Sequence, residues 1–352
     1  MTTPPADPGH AAAAAATAHA PLRHLGLPWF AAVMGLAGLA LAWLRAVPLM
    51  GEIAGALGLV FGTVAAVFFV ALVGLQLMRV RRHPQAVAED LRHPARHAFV
   101  ATVPVALLLL VAVAVQVAGP SAPLRLLWAL GAAGQAGATL WVMARWLRPQ
   151  KAEALPWAAV TPVLIIPAVG NVVPAMAGPA LGLAQVAAAQ YAIGLFLWPV
   201  VFTLLVVRLA VQGPWPERLL PTTFISAVSP AVAGLGALQL GAPPLVGWAA
   251  WGLASFFLAW SFTLLPRLVK QPFTMAFWGM SFPLAAWAGL SLMLASAPGG
   301  LPQGLAVLSL AFSTLVIGAL ALGTVQGLRA GTLLAPEPVA LIQPVGAAAT
   351  PG

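Results

Sequence analysis

The 352-residue chain contains no cysteine, which excludes a disulfide framework and any thiolate metal or redox site. Charge is almost as scarce: 7% of residues are Asp, Glu, Lys or Arg and 61% are hydrophobic, whereas soluble domains carry roughly 25% charged and 45–50% apolar residues. Such a chain is solvated by lipid. Also missing is the polar–apolar alternation over about ten residues that marks an outer-membrane barrel. What is present is a series of long runs rich in Leu, Ala and Gly. A helix needs about 20 apolar residues to span a bilayer, and ten such spans are read at 28–47, 53–78, 98–118, 124–144, 157–176, 181–207, 221–241, 244–265, 273–296 and 303–328. The predicted class is an all-α polytopic membrane protein. Residues 1–20 are Ala-rich low complexity without the order of a signal peptide. The expected organisation is a disordered arm over 1–24, a transmembrane domain over 25–330 and a flexible tail over 331–352.

The few charges are placed unevenly. A net charge of +9 could suggest nucleic acid, but the positive-inside rule accounts for it at less cost. Of the 16 Lys and Arg residues, only Arg45 and Arg125 fall in one set of alternate loops; the other 14 fall in the opposite set or the termini beside it. Both termini are therefore expected in the cytoplasm, with odd spans running outward and even spans returning as five hairpins. Short turns such as Val47–Glu52 and Gly119–Pro123 close them on the outside.

Proline separates the two sets of spans. Pro104 lies in span 3, Pro162, Pro167 and Pro174 in span 5, Pro230 in span 7 and Pro283 in span 9, while spans 2, 4, 8 and 10 carry none and span 6 only Pro199. An internal proline removes a backbone hydrogen bond and kinks a helix; in a membrane the freed carbonyl is tolerated only against protein or a water-filled cavity. The odd spans are the expected inner set, span 1 contributing Gly35 and Gly38 in place of a proline. Five hairpins with five such inner helices suggest a quasi-fivefold ring around a central pore.

Intramembrane ionisable residues are the default marks of proton relays and ion-coupled transport. All seven acidic residues and all six histidines fall outside these spans or at their edges, so the pore interior is expected to be uncharged. No cofactor or metal is expected: His83, His93 and His97 share a loop with five arginines that would repel a cation, and no catalytic constellation can be assembled at one depth, so the chain is not read as an enzyme. Asn171, the only asparagine, lies between Pro167 and Pro174 and has two readings, a cap for broken backbone or a contact for a permeant ion. An uncharged pore with basic mouths and broken helix ends favours anions, and conduction needs binding weak enough to let them leave.

The stretches LPWFAAVMGLAGLALAW in span 1, PAVGN in span 5, ISAVSPAVAGLGAL in span 7 and PFTMAFWGMSFPLAAWA in span 9 resemble, in that order, the tellurite-resistance/dicarboxylate transporter family, which includes the slow-type anion channels of plant guard cells. The resemblance covers about residues 25–330. It implies five hairpins around a pore, odd helices inside, a homotrimer in the bacterial cytoplasmic membrane, and small inorganic or organic anions as permeants. It also implies a phenylalanine gate at Phe282, beside Pro283, with Ala31 where the family often has the small residue facing the plug. Read from residues alone, Phe282 is equally an ordinary packing phenylalanine, and Phe273 and Phe277 compete for the gate on the same span. Gly35, Pro104, Pro167, Asn171 and Pro230 are the further pore-lining candidates. The family's other activity, proton-coupled export of oxyanions or C4-dicarboxylates, is the alternative function.

Overall fold

The structure, a computed structural model, describes residues 21–147, 157–296 and 300–335. Most of the expected arm and tail, with Arg148, Lys151, Glu153 and Glu337, lies outside them. Among the described residues there are helices and no strands. Nine helical segments are long and apolar enough to cross a membrane, and a tenth is shorter. In chain order they are α1 (Leu27–Arg45), α2 (Glu52–Arg82), α3 (Arg96–Ala118), α4 (Ala122–Leu147), α5 (Pro162–Met176), α6 (Ala184–Gln212), α7 (Glu217–Gln239), α8 (Pro244–Phe262), α9 (Met275–Ala295) and α10 (Gln303–Arg329). The chain is thus a multi-pass membrane protein.

Burial follows the odd–even division that the prolines suggest. In the most apolar stretch of α1, α3, α7 and α9 the buried share of residues is 83%, 61%, 94% and 78%, against 22–33% for the even segments. A helix apolar all round belongs inside protein or against lipid. The even helices take the second role, with Phe196, Leu140 and Leu315 exposed on their outer faces. Contact between the two sets is made by small residues on the even helices that admit odd-helix side chains, as membrane packing requires. A Cβ at Gly62 of α2 would stand 2.9 Å from Val113 of α3, and one at Gly194 of α6 would stand 2.9 Å from the Val172 backbone nitrogen of α5.

The prolines act differently from expectation. Every odd segment opens as a 3-10 helix, at Leu27–Trp29, Arg96–Ala101, Pro162–Leu164, Glu217–Phe224 and Met275–Met280, before passing into α-helix. Pro104, Pro167 and Pro283 are each the third residue of the α portion. They do not kink a helix in its middle. A proline in the first turn gives up an N–H that has no regular partner there, so the residue is compatible with the 3-10 to α change. Only Pro230, sixth in its α portion, lies deeper. In α5 the α portion is reduced to Ile165–Val169 and 3-10 geometry resumes over Gly170–Met176, which is why this segment is shorter than the uniform span read from hydropathy. Runs of 3-10 beyond three or four residues are uncommon.

The connection between α2 and α3 is folded, with a short helix at Pro84–Arg92. Asp90 binds Arg79 and Arg96, each at 2.7 Å, and Arg79 also donates to the Arg23 carbonyl at 2.9 and 3.1 Å, tying the entry of α1 to this unit. His93 Nδ1 accepts the backbone N–H groups of Ala95 and Arg96 at 3.1 and 3.2 Å, which requires the ring proton on Nε2. Burial first, then the Arg96 charge, lower its pKa from 6.5 to about 4. The folded state therefore binds this proton more weakly than the unfolded chain. The stability it supports is full above the unfolded value and is lost as pH falls from about 6.5 toward 4. Thermal melts across that window should decline in the parent and decline less in His93→Asn, whose amide oxygen can accept without titrating; parallel curves would contradict this.

Candidate functional site: an apolar cavity among the odd helices

A cavity of about 50 Å³ lies where the 3-10 portions give way to α-helix. All 18 of its lining residues belong to α1, α3, α5, α7 or α9, and none is ionisable. Its walls are aliphatic or aromatic, from Met34 and Val105 to Ile166, Val228 and Phe282, with Thr222 supplying the one hydroxyl. The volume exceeds what a single water needs, but few polar partners are offered.

Phe282 is the second residue past the 3-10 portion of α9 and is 5% exposed. Its ring rests on Gly38 of α1: a Cβ there would stand 2.8 Å from Phe282 Cδ2. One turn earlier, a Cβ at Gly35 would meet Ser281 Oγ at 2.2 Å. The two glycines thus allow α1 to approach α9 closely at Ser281 and Phe282. Hydrogen bonds fix the segment before the ring. Ser281 Oγ donates to the Trp278 carbonyl at 2.7 Å, and Trp278 Nε1 donates to Thr324 Oγ1 of α10 at 2.8 Å.

Of the sequence candidates, Ala31, Phe282 and Pro283 line this cavity, whereas Gly35, Pro104, Pro167, Asn171 and Pro230 do not. Ala31 is on the cavity wall, but the small residue under the Phe282 ring is Gly38. Phe273 and Phe277 stack on each other with centroids 5.7 Å apart, and Phe273 packs at Gly323 of α10; neither lines the cavity. Pro104 packs toward Gly134 of α4, and Pro230 is buried within α7.

Asn171 does not face the cavity; its amide lies in a buried polar cluster between α4, α5 and α6. Its Nδ2 donates to Thr139 Oγ1 at 2.8 Å and to the Pro167 and Ala168 carbonyls at 3.0 and 3.2 Å. Its Oδ1 accepts from Gln190 Nε2 at 3.1 Å. Gln135 Nε2 also donates to the Pro167 carbonyl, at 3.1 Å. Where α5 changes from α to 3-10, these side chains supply donors that the regular ladder does not. Of the two readings of Asn171, the backbone cap is the one that these bonds describe.

An apolar cavity enclosed by buried helices, within a shell of lipid-facing ones, defines a membrane-embedded channel or transporter. A family profile described as voltage-dependent anion channel matches residues 24–325, and the chain belongs to that family, one of channels and transporters. Among its relatives, an uncharacterized transporter of Methanocaldococcus jannaschii is 28% identical over 294 residues, 75% of this chain and 81% of the relative. A tellurite resistance protein TehA homolog of Haemophilus influenzae is 24% identical over 314 residues, 88% and 92% of the two chains. An S-type anion channel of Arabidopsis thaliana is 30% identical over a shorter stretch of 125 residues, 35% of this chain and 24% of that one.

Proposed function

We propose that the chain passes small anions across the bacterial cytoplasmic membrane through a pore enclosed by the five odd segments and closed by the Phe282 ring. The observation that carries the reading is the cavity lining, drawn from those five segments alone, with Phe282 seated on Gly38. Pairwise packing supports a ring: α1 touches α3 and α9, α7 touches α5 and α9, and α3 touches α5. An apolar constriction holds back ions because they must shed hydration to pass, so the ring closes the path without a charge. Passive passage is favoured over proton-coupled export of oxyanions or C4-dicarboxylates because the cavity wall offers no proton acceptor. A homotrimer with a pore in each subunit, which the resemblance implies, is part of the proposal.

The test is anion flux from proteoliposomes across a panel of salts, with internal pH followed at the same time. Flux of chloride or nitrate in Phe282→Ala without proton movement is expected; flux strictly accompanied by protons would favour the exporter. The arrangement in the membrane is tested separately. Reporter fusions within residues 79–97 and in the C-terminal tail should both report cytoplasm, and a periplasmic signal at either would overturn the five-hairpin topology.

A further inference from the structure

Arg45 ends α1, and its side chain has neither a hydrogen bond nor an ion pair among the described residues. Its guanidinium lies against Gly289 of α9, a buried residue, where a Cβ would stand 3.1 Å from Arg45 Nη1 and 3.9 Å from Leu235 of α7. The side chain therefore reaches across from α1 to a point flanked by α9 and α7.

That point lies on the continuation of the cavity wall. Ala31, Gly38 and Arg45 are spaced by seven residues along the α portion of α1, and Phe282 and Gly289 by seven along the α portion of α9. Seven residues bring an α-helix back nearly to the same face. Ala31 lines the cavity, Gly38 and Phe282 are in contact, and Arg45 and Gly289 form the next contact in the series. Seven residues at 1.5 Å each place it roughly 10 Å past the plug. A side chain at Gly289 would crowd the guanidinium.

We infer that Arg45 forms a contact site for a small monovalent anion on the far side of Phe282, supplying the positive charge that the cavity on the near side lacks. The inference rests on the proposed passage. A single guanidinium with no carboxylate partner leaves its N–H donors free for a permeant ion, and one cation suits a singly charged anion better than a dianion. A charge within a low-dielectric cleft also concentrates counter-ions, so an anion leaving the plug meets attraction there and a cation meets repulsion.

Two measurements test this. In crystals soaked in bromide, an anomalous peak is expected beside the Arg45 guanidinium in the parent and none in Arg45→Gln; no peak in the parent overturns the inference. In the Phe282→Ala background, Arg45→Gln should lower chloride current by roughly tenfold, the low end of what a charge-lined cleft supplies, and shift the reversal potential toward that of the cation, while Arg45→Lys keeps most of both. Unchanged current and reversal potential in Arg45→Gln would overturn the site and leave the proposed passage standing. A bromide peak in a protein whose Phe282→Ala variant is silent would support the site and sink the passage.

Discussion

Phe282→Ala is expected to give a folded protein with greatly increased anion conductance. The ring lines an apolar cavity and rests on Gly38, so on the proposed reading its truncation leaves a wider path that water can enter. If the ring contributes about 3 kcal/mol to the barrier, its loss raises conductance roughly 100-fold. Phe282→Leu, retaining part of the bulk, should fall between parent and Ala. A phenylalanine that only packs behaves differently, leaving a void that costs about 3–5 kcal/mol of stability and lowering yield without raising current. Phe277→Ala is the internal control, since Phe277 stacks on Phe273 beside α10; it should lose stability and remain closed. Conductance in Phe277→Ala with silence in Phe282→Ala would move the gate.

The second large effect is expected on stability. Asn171→Leu removes the group that links α4, α5 and α6, leaving the Ala168 carbonyl without its side-chain donor and Gln190 without one of its acceptors. At about 1–3 kcal/mol for a buried group left unpaired, and with Gln190 keeping its bond to the Ala132 carbonyl, the loss is read as a lower melting temperature in detergent. Permeation separates this role from ion contact. In the Phe282→Ala background the reversal potential should be unaffected by Asn171→Leu; a changed preference among anions would place the amide in the path.

The set of spans, and which of them are inner, could be read from the sequence because both depend on properties with a long reach along the chain. Hydropathy over about 20 residues marks a span, and prolines accumulate where backbone can be satisfied by protein. Phe282 and Ala31 on one cavity wall were legible only through the resemblance, since a phenylalanine in an apolar run carries no signal of its own. Three features were not legible. The 3-10 openings of the odd segments depend on tertiary contacts, because 3-10 and α-helix accept nearly the same residues. Pro104, Pro167 and Pro283 read as kinks within uniform helices, but they fall in first turns once the α portion starts late. Gly38 under the ring and Arg45 beside Gly289 depend on how α1 lies against α9, a relation no single span contains. The seven-residue spacing of Ala31, Gly38 and Arg45 was the available clue, and it gains meaning only when one of the three is placed at the cavity.

The measurement that bears most directly on passive anion passage is the reversal potential of Phe282→Ala across a planar bilayer under a potassium chloride gradient, repeated under a pH gradient. The account predicts a reversal near the chloride equilibrium potential that does not move with pH. A reversal at the potassium potential, or one that follows the proton gradient, would contradict it.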